Sequence, residues 1–194
     1  MTCRPARHAR ATAPDAARAR NLPALRGEAG VPAPHQERTV DKSKIPADQA
    51  EALGALMDDH RAVKKQFKAF KDTEDRDEKE SIALDVCHQL TVHATIEEEL
   101  FYPALRGVSD EIDDMLDEAK VEHQVAKDLI AAIDEDPAGD MLEASFTVLS
   151  EYVSHHIEEE EGELFKNVIK EKINLRDVAQ AMAARKEELM RETA

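Results

Sequence analysis

Four histidines stand where a leucine would complete a helical apolar stripe: His60, His93, His123 and His156. Two of them carry a glutamate four residues on, as His93–Glu97 and His156–Glu160. A spacing of four puts both side chains on one helix face, so each pair points at the same interior as its stripe. A single core histidine is ordinarily a hydrogen-bonded packing residue, and a single glutamate in a run such as Glu97-Glu98-Glu99 is ordinarily solvated. Six such residues aimed at one core are another matter. An unpaired buried carboxylate costs several kcal/mol, on the order of the penalty for any uncompensated interior charge, and a bound cation removes it. The spacing repeats: 33 residues separate His60 from His93, and 33 separate His123 from His156, with the second set displaced by 63. Two helix hairpins about a pseudo-twofold axis would each bring three ligands to a shared centre. Four imidazoles and two carboxylates, without thiolate, suit iron or manganese and exceed the four ligands of a structural zinc. A dinuclear centre with positions left over for a small ligand fits the set better.

The elements that must hold these residues are all helical. Stripes at steps of three and four predict helices over about 47–71, 76–102, 110–133 and 140–170. The first carries Leu53, Leu56, His60, Val63, Phe67 and Phe70; the second Ile82, Val86, Leu90, His93, Glu97 and Leu100, stopping at Pro103. The third carries Ile112, Leu116, His123, Ile130 and Ile133; the fourth Leu142, Ser145, Leu149, Tyr152, His156 and Glu160. A shorter helix over about 175–191 follows Asn174, which can cap it. Four long helices on short loops imply an all-α fold, an antiparallel up-down four-helix bundle with an additional C-terminal helix. That last helix is read equally well as docked or as a frayed tail.

Domain organisation follows from composition. Residues 1–40 hold seven arginines, no lysine, three acids and five of the eight prolines, and are read as a disordered Arg/Pro/Ala-rich arm. The bundle takes 41–173 and the C-terminal helix 174–194. Over the 194 residues the formal net charge is −16, which argues against nucleic acid and against an anionic membrane surface as partners. No apolar run approaches the ~18 residues of a membrane span. Two cysteines without a CxxC make a reducing, cytoplasmic setting the expectation.

The arrangement resembles the hemerythrin family, specifically bacterial proteins with an HHE cation-binding domain. The resemblance is carried by Asp59-His60, by His93-Ala-Thr-Ile-Glu97-Glu98 with Leu100-Phe101-Tyr102-Pro103, by Glu122-His123, and by His155-His156-Ile157 through Glu160-Glu161 with Leu164-Phe165. It covers about residues 47–170. It implies an up-down bundle around two iron ions, oxo- or hydroxo-bridged, with manganese as the alternative, that meets O2, peroxide or nitric oxide. His60, His93, His123 and His156 would be terminal ligands, and Glu97 and Glu160 bridging carboxylates. Oxygen-carrying members have a further histidine one turn after the third ligand; here Lys127 stands there. They also place the last carboxylate five residues after its histidine, which would select Glu161; the four-residue step keeps Glu160 on the stripe and is preferred.

Other polar residues are assigned by helix phase. His155 and His88 fall off their stripes and are expected at the surface; Cys87 is expected as a buried small hydrophobe. Tyr152, one turn before His156, is expected to face inward. Lys127 would be a snorkelling surface lysine or a cation beside bound anions. Two alternatives stand beside ligand binding: a di-iron oxidase or catalase-like enzyme, and a metal-free helical adaptor.

Overall fold

The computed structural model describes residues 39–192. The segment expected as an unstructured arm therefore lies outside the described residues, apart from Thr39 and Val40. Helix α1 spans Ala50–Asp72. Helix α2 spans Arg76–Ile96 and runs on through a π-helical turn, Glu97–Phe101, into Tyr102–Leu105. Helix α3 spans Asp110–Glu135. Helix α4 spans Leu142–Glu159 and continues through a second π turn, Glu160–Leu164, into Phe165–Lys170. Helix α5 spans Arg176–Glu192. No strand occurs among the described residues.

Local chemistry sets the ends. The Asp75 carboxylate accepts from the backbone N–H groups of Asp77 and Glu78 at the start of α2, and the Ser109 hydroxyl accepts from Ile112 N–H at the start of α3. Acidic residues crowd both first turns, where the helix dipole favours them. Asn174 Oδ1 accepts from Arg176 N–H before α5. Helix α1 begins three residues later than the sequence suggests. Its Gln49 side chain is buried and donates to the carbonyls of Val168 and Ile173 instead of capping the helix.

The second helix does not stop at Pro103. In the π turn Tyr102 N–H reaches back five residues to the Glu97 carbonyl. The missing N–H of Pro103 then falls in the first turn of the resumed helix, where it breaks no ladder. The extra residue also rotates the resumed helix relative to the turns before it. Phe101 and Tyr102 are buried, while Leu100, expected on the stripe, is only partly so.

Helices α1 and α2, joined by three residues, pack on one another, as do α3 and α4; α2 also contacts α3, and α1 contacts α4, which closes the ring. Two apolar cores result. One gathers Val63, Phe67, Phe70, Val86, Ile130, Phe146 and Leu149 toward the 73–75 loop. The other gathers Leu53, Leu56, Ile96, Phe101, Leu116, Leu164 and Phe165 at the opposite end. The stripe histidines lie between them. Helix α5 docks against α1 and α2, burying Leu175, Ala179 and Met182, so the frayed-tail reading is wrong. No helix among the described residues is long and apolar enough to cross a membrane.

Candidate metal centre

Each expected site residue arrives from a different turn of the bundle. His60 comes from the middle of α1, His93 from the last turn of α2 before its π turn, His123 from the middle of α3 and His156 from the last turn of α4 before its π turn. Glu97 and Glu160 are the first residues of the two π turns. All six are buried.

The structure brings them together. His60 Nε2 lies 3.2 Å from His93 Nε2, and His123 Nε2 lies 3.2 Å from His156 Nε2. Glu97 spans the two halves: its carboxylate is 3.2 Å from His93 Nε2 in its own helix and 3.4 Å from His123 Nε2 in α3. Glu160 does the reverse, 3.7 Å from His156 Nε2 and 3.4 Å from His60 Nε2. Both oxygens of Glu97 and Oε2 of Glu160 have no partner in hydrogen-bond geometry. Orphaned carboxylate oxygens in a dry interior are expensive unless something positive sits against them. Ligand atoms of His60, His93, Glu97 and Glu160 lie within 4.8 Å of one another, as do those of Glu97, His123 and His156. The donor set and the bare oxygens fit metal ions.

A ring of four carboxylates surrounds the imidazoles, and its members were not singled out as a group by sequence reasoning. His60 Nδ1 meets Glu161 at 2.9 Å, His93 Nδ1 meets Asp59 at 3.5 Å, His123 Nδ1 meets Glu98 at 2.9 Å and His156 Nδ1 meets Glu122 at 2.8 Å. A carboxylate on Nδ1 holds the ring proton there and leaves the Nε2 lone pair aimed at the centre. The two glutamates of α4 are thereby separated in place: Glu160 faces the cluster, while Glu161 orients His60. The 63-residue repeat carries this ring as well, pairing Asp59 with Glu122 and Glu98 with Glu161. That repeat was the signal by which it could have been found.

Burial and charge oppose each other here. Burial disfavours the charged form of His60, His93 and His123, yet the neighbouring carboxylates outweigh it and raise all three, His93 to about 10. Burial likewise works against ionised Glu97, but His93 and His123 hold it well below the usual carboxylate range. In the absence of metal, protons thus stand in for cations.

One further residue reaches the cluster. Tyr102 is buried; its hydroxyl donates to Glu160 Oε1 at 3.0 Å and lies 3.5 Å from His123 Nε2. Burial and the Glu160 charge push its phenol well above the ordinary value. Its equivalent after 63 residues is Phe165, whose ring stacks 6.2 Å from His60 as the Tyr102 ring stacks 5.6 Å from His123. Tyr152, expected inside, is instead 45% exposed, because Val153 holds the core-facing phase of α4. His155 is at the surface and Cys87 is buried, its thiol pushed up to about 12 by burial. Lys127 is half-exposed and pairs with Glu98 at 2.6 Å, one bond removed from His123.

Beside the four imidazoles lies a small pocket of about 40 Å³, walled by Val63, Leu90, Ala126, Ile130, Val153 and Ile157. It is apolar except for the imidazoles and the residues at its edge. A family model for the hemerythrin HHE cation binding domain matches residues 51–168, well over half of the chain. The chain belongs to the hemerythrin HHE family. Its helical bundle and its buried His/Glu cluster, suited to holding metal, are those of a hemerythrin domain; α5 lies beyond the matched region. No curated protein and no solved structure matches the chain significantly.

Proposed function

We propose that this chain holds two iron ions in the cluster and binds a small ligand, O2, peroxide or nitric oxide, in the apolar pocket beside them. His60, His93, His123 and His156 would be terminal ligands, and Glu97 and Glu160 would each serve both ions. The observation that carries this is the pair of crossing carboxylates. Each reaches one imidazole in its own helix pair and one in the other, and three of their four oxygens have no donor.

Bound iron would supply redox-active Lewis acidity with open coordination positions. The protein's own residues do the rest. Asp59, Glu98, Glu122 and Glu161 hold the imidazoles in one tautomer and orientation. The aliphatic wall of the pocket keeps bulk water from the imidazole faces and admits small, weakly polar molecules. The Tyr102 hydroxyl, donating to Glu160, fixes that carboxylate and places an O–H within reach of His123.

Elemental analysis and an aerobic absorption spectrum of the purified protein test the proposal. Two irons per chain and a near-ultraviolet band that changes on adding nitric oxide are expected. An iron-free protein whose thermal stability ignores added Fe(II) would contradict it.

A further inference from the structure

Helix α5 lies outside the region matched by the family model and outside the two repeated helix pairs, yet two of its side chains reach the surroundings of the cluster. Lys186 pairs with Asp59, whose other carboxylate oxygen faces His93 Nδ1 at 3.5 Å. Arg185, the residue before, donates to both oxygens of Glu99, at 2.8 and 3.2 Å. Glu99 belongs to the π turn that starts at Glu97. Two consecutive side chains of α5 thus hold α1 one residue before His60 and α2 two residues after Glu97. The α3–α4 pair offers no such grip at the equivalent of Glu99, because Gly162 stands there.

Helix α5 is held differently along its length. Leu175 ahead of it, Ala179 and Met182 are buried in one core with Ala52 and Ile96. Beyond Met182 no side chain of α5 is buried, and Leu189 is only partly so. A cavity of about 450 Å³ lies beside Asp59 there, lined by Ala52, Ala55, Met182, Lys186 and Met190. The C-terminal half of α5 is therefore held chiefly by its two cations, and the cavity leaves it room to shift without a clash. Asp59 is 21% exposed, so its pair with Lys186 is screened less than a surface pair. Of the four carboxylates that orient imidazoles, Asp59 also makes the longest contact, 3.5 Å against 2.8–2.9 Å for the others.

We infer that Lys186 is a positioning residue of the metal centre, which sets the aim of His93 through Asp59 and couples the C-terminal half of α5 to occupation of the cluster. With Lys186 on one oxygen, the Asp59 carboxylate keeps the other on His93 Nδ1, and the Nε2 lone pair stays on the centre. Without Lys186 the carboxylate is free to turn toward the cavity. Such a coupling is reciprocal: whatever factor α5 docking adds to metal affinity, metal adds to α5 docking. The inference rests on the proposed metal-binding role of the cluster.

The test uses chelator-treated full-length protein, with Co(II) as the probe under anaerobic conditions. Hydrogen–deuterium exchange reads the amides of residues 183–190, and competition with a chromophoric chelator reads Co(II) affinity. Lys186→Met removes the charge from a side chain that is 37% exposed and keeps most of its length, so the fold is retained. In the wild type, Co(II) is expected to slow exchange over 183–190 about tenfold. In Lys186→Met that metal dependence should vanish, and at least one Co(II) equivalent should bind about tenfold more weakly. If Lys186 only packs α5, the substitution speeds exchange by the same factor with and without metal and leaves Co(II) affinity unchanged. That result overturns the inference, as does wild-type exchange indifferent to metal. Two tight Co(II) ions are expected in the wild type. A single ion would strike the dinuclear reading and leave the same two readouts to decide the coupling; no bound ion would overturn both.

Discussion

The α1–α2 and α3–α4 pairs match position for position around the cluster and part company one layer out. Each supplies two imidazoles, one carboxylate that crosses to the other pair, and a π turn starting at that carboxylate. Each also supplies two of the four carboxylates that orient the imidazoles. The differences begin with Tyr102 against Phe165, then Lys186 paired with Asp59 against a narrow glutamate-lined cleft at Glu122. Ligand geometry tolerates little variation, because a donor must reach the centre from a fixed helix phase. The surrounding layer need only hold those donors still, so it is free to become asymmetric and to carry separate tasks.

The equivalence of the inner layer makes the largest prediction. His93→Ala and its mate His156→Ala should each lower the metal content of loaded protein by at least one ion per chain, to about the same extent. Glu97→Ala should do the same, and Glu159→Ala should not lower the tightly bound content. Elemental analysis after gel filtration reads all four. One histidine variant retaining both ions while its mate loses them would break the symmetry of the two pairs.

Protonation sharpens the same point. His93 rises from an ordinary 6.5 to about 10 in the metal-free protein, with His60 and His123 raised as well. A group raised in the folded state stabilises it fully below its unfolded value, and that stabilisation is lost as pH climbs through the folded one. The Tm of metal-free protein should therefore fall between pH 6.5 and 10. Metal-loaded protein, whose imidazoles are already deprotonated, should show little of this fall. Parallel Tm–pH curves would contradict the assignment.

Two smaller effects probe the asymmetric layer. Met182→Ala empties a buried position of α5 against α1 and α2 and should cost about 2–5 kcal/mol in urea unfolding, with the tight metal count unchanged. Tyr102→Phe makes the two pairs alike. It removes the one hydroxyl donor to buried Glu160 and should cost about 1.5–3 kcal/mol in the metal-free protein. It should also shift the absorption of the loaded protein. A Tyr102→Phe protein with unchanged stability and spectrum would show that the hydroxyl is idle.

The cluster was legible because polar residues interrupted apolar stripes. His60, His93, His123 and His156 stand out only where leucine is expected, and the four-residue step to Glu97 and Glu160 keeps them in phase. The helices obey the same periodicity, and Asn174 caps α5 as its residue type suggests. What periodicity hid lies beyond the π turns. An added residue there shifts the helix phase by about 100°, so an unbroken stripe points Leu100 inward while Tyr102 is the residue that reaches Glu160. Tyr152 was misplaced because an apolar ring and its neighbour Val153 compete for one phase, and only packing decides. The docking of α5 depends on buried Ala52 sharing a core with Leu175, Ala179 and Met182, a match that no single helix reveals.

Anomalous diffraction at the iron edge from crystals of the iron-loaded protein would decide whether two ions share the bundle centre. Two peaks are expected inside the bundle, one reached by His60 and His93 and the other by His123 and His156, with Glu97 and Glu160 between them. A single peak, or density confined to the Glu122–His155–Glu159 surface, would contradict a dinuclear centre held by the two helix pairs.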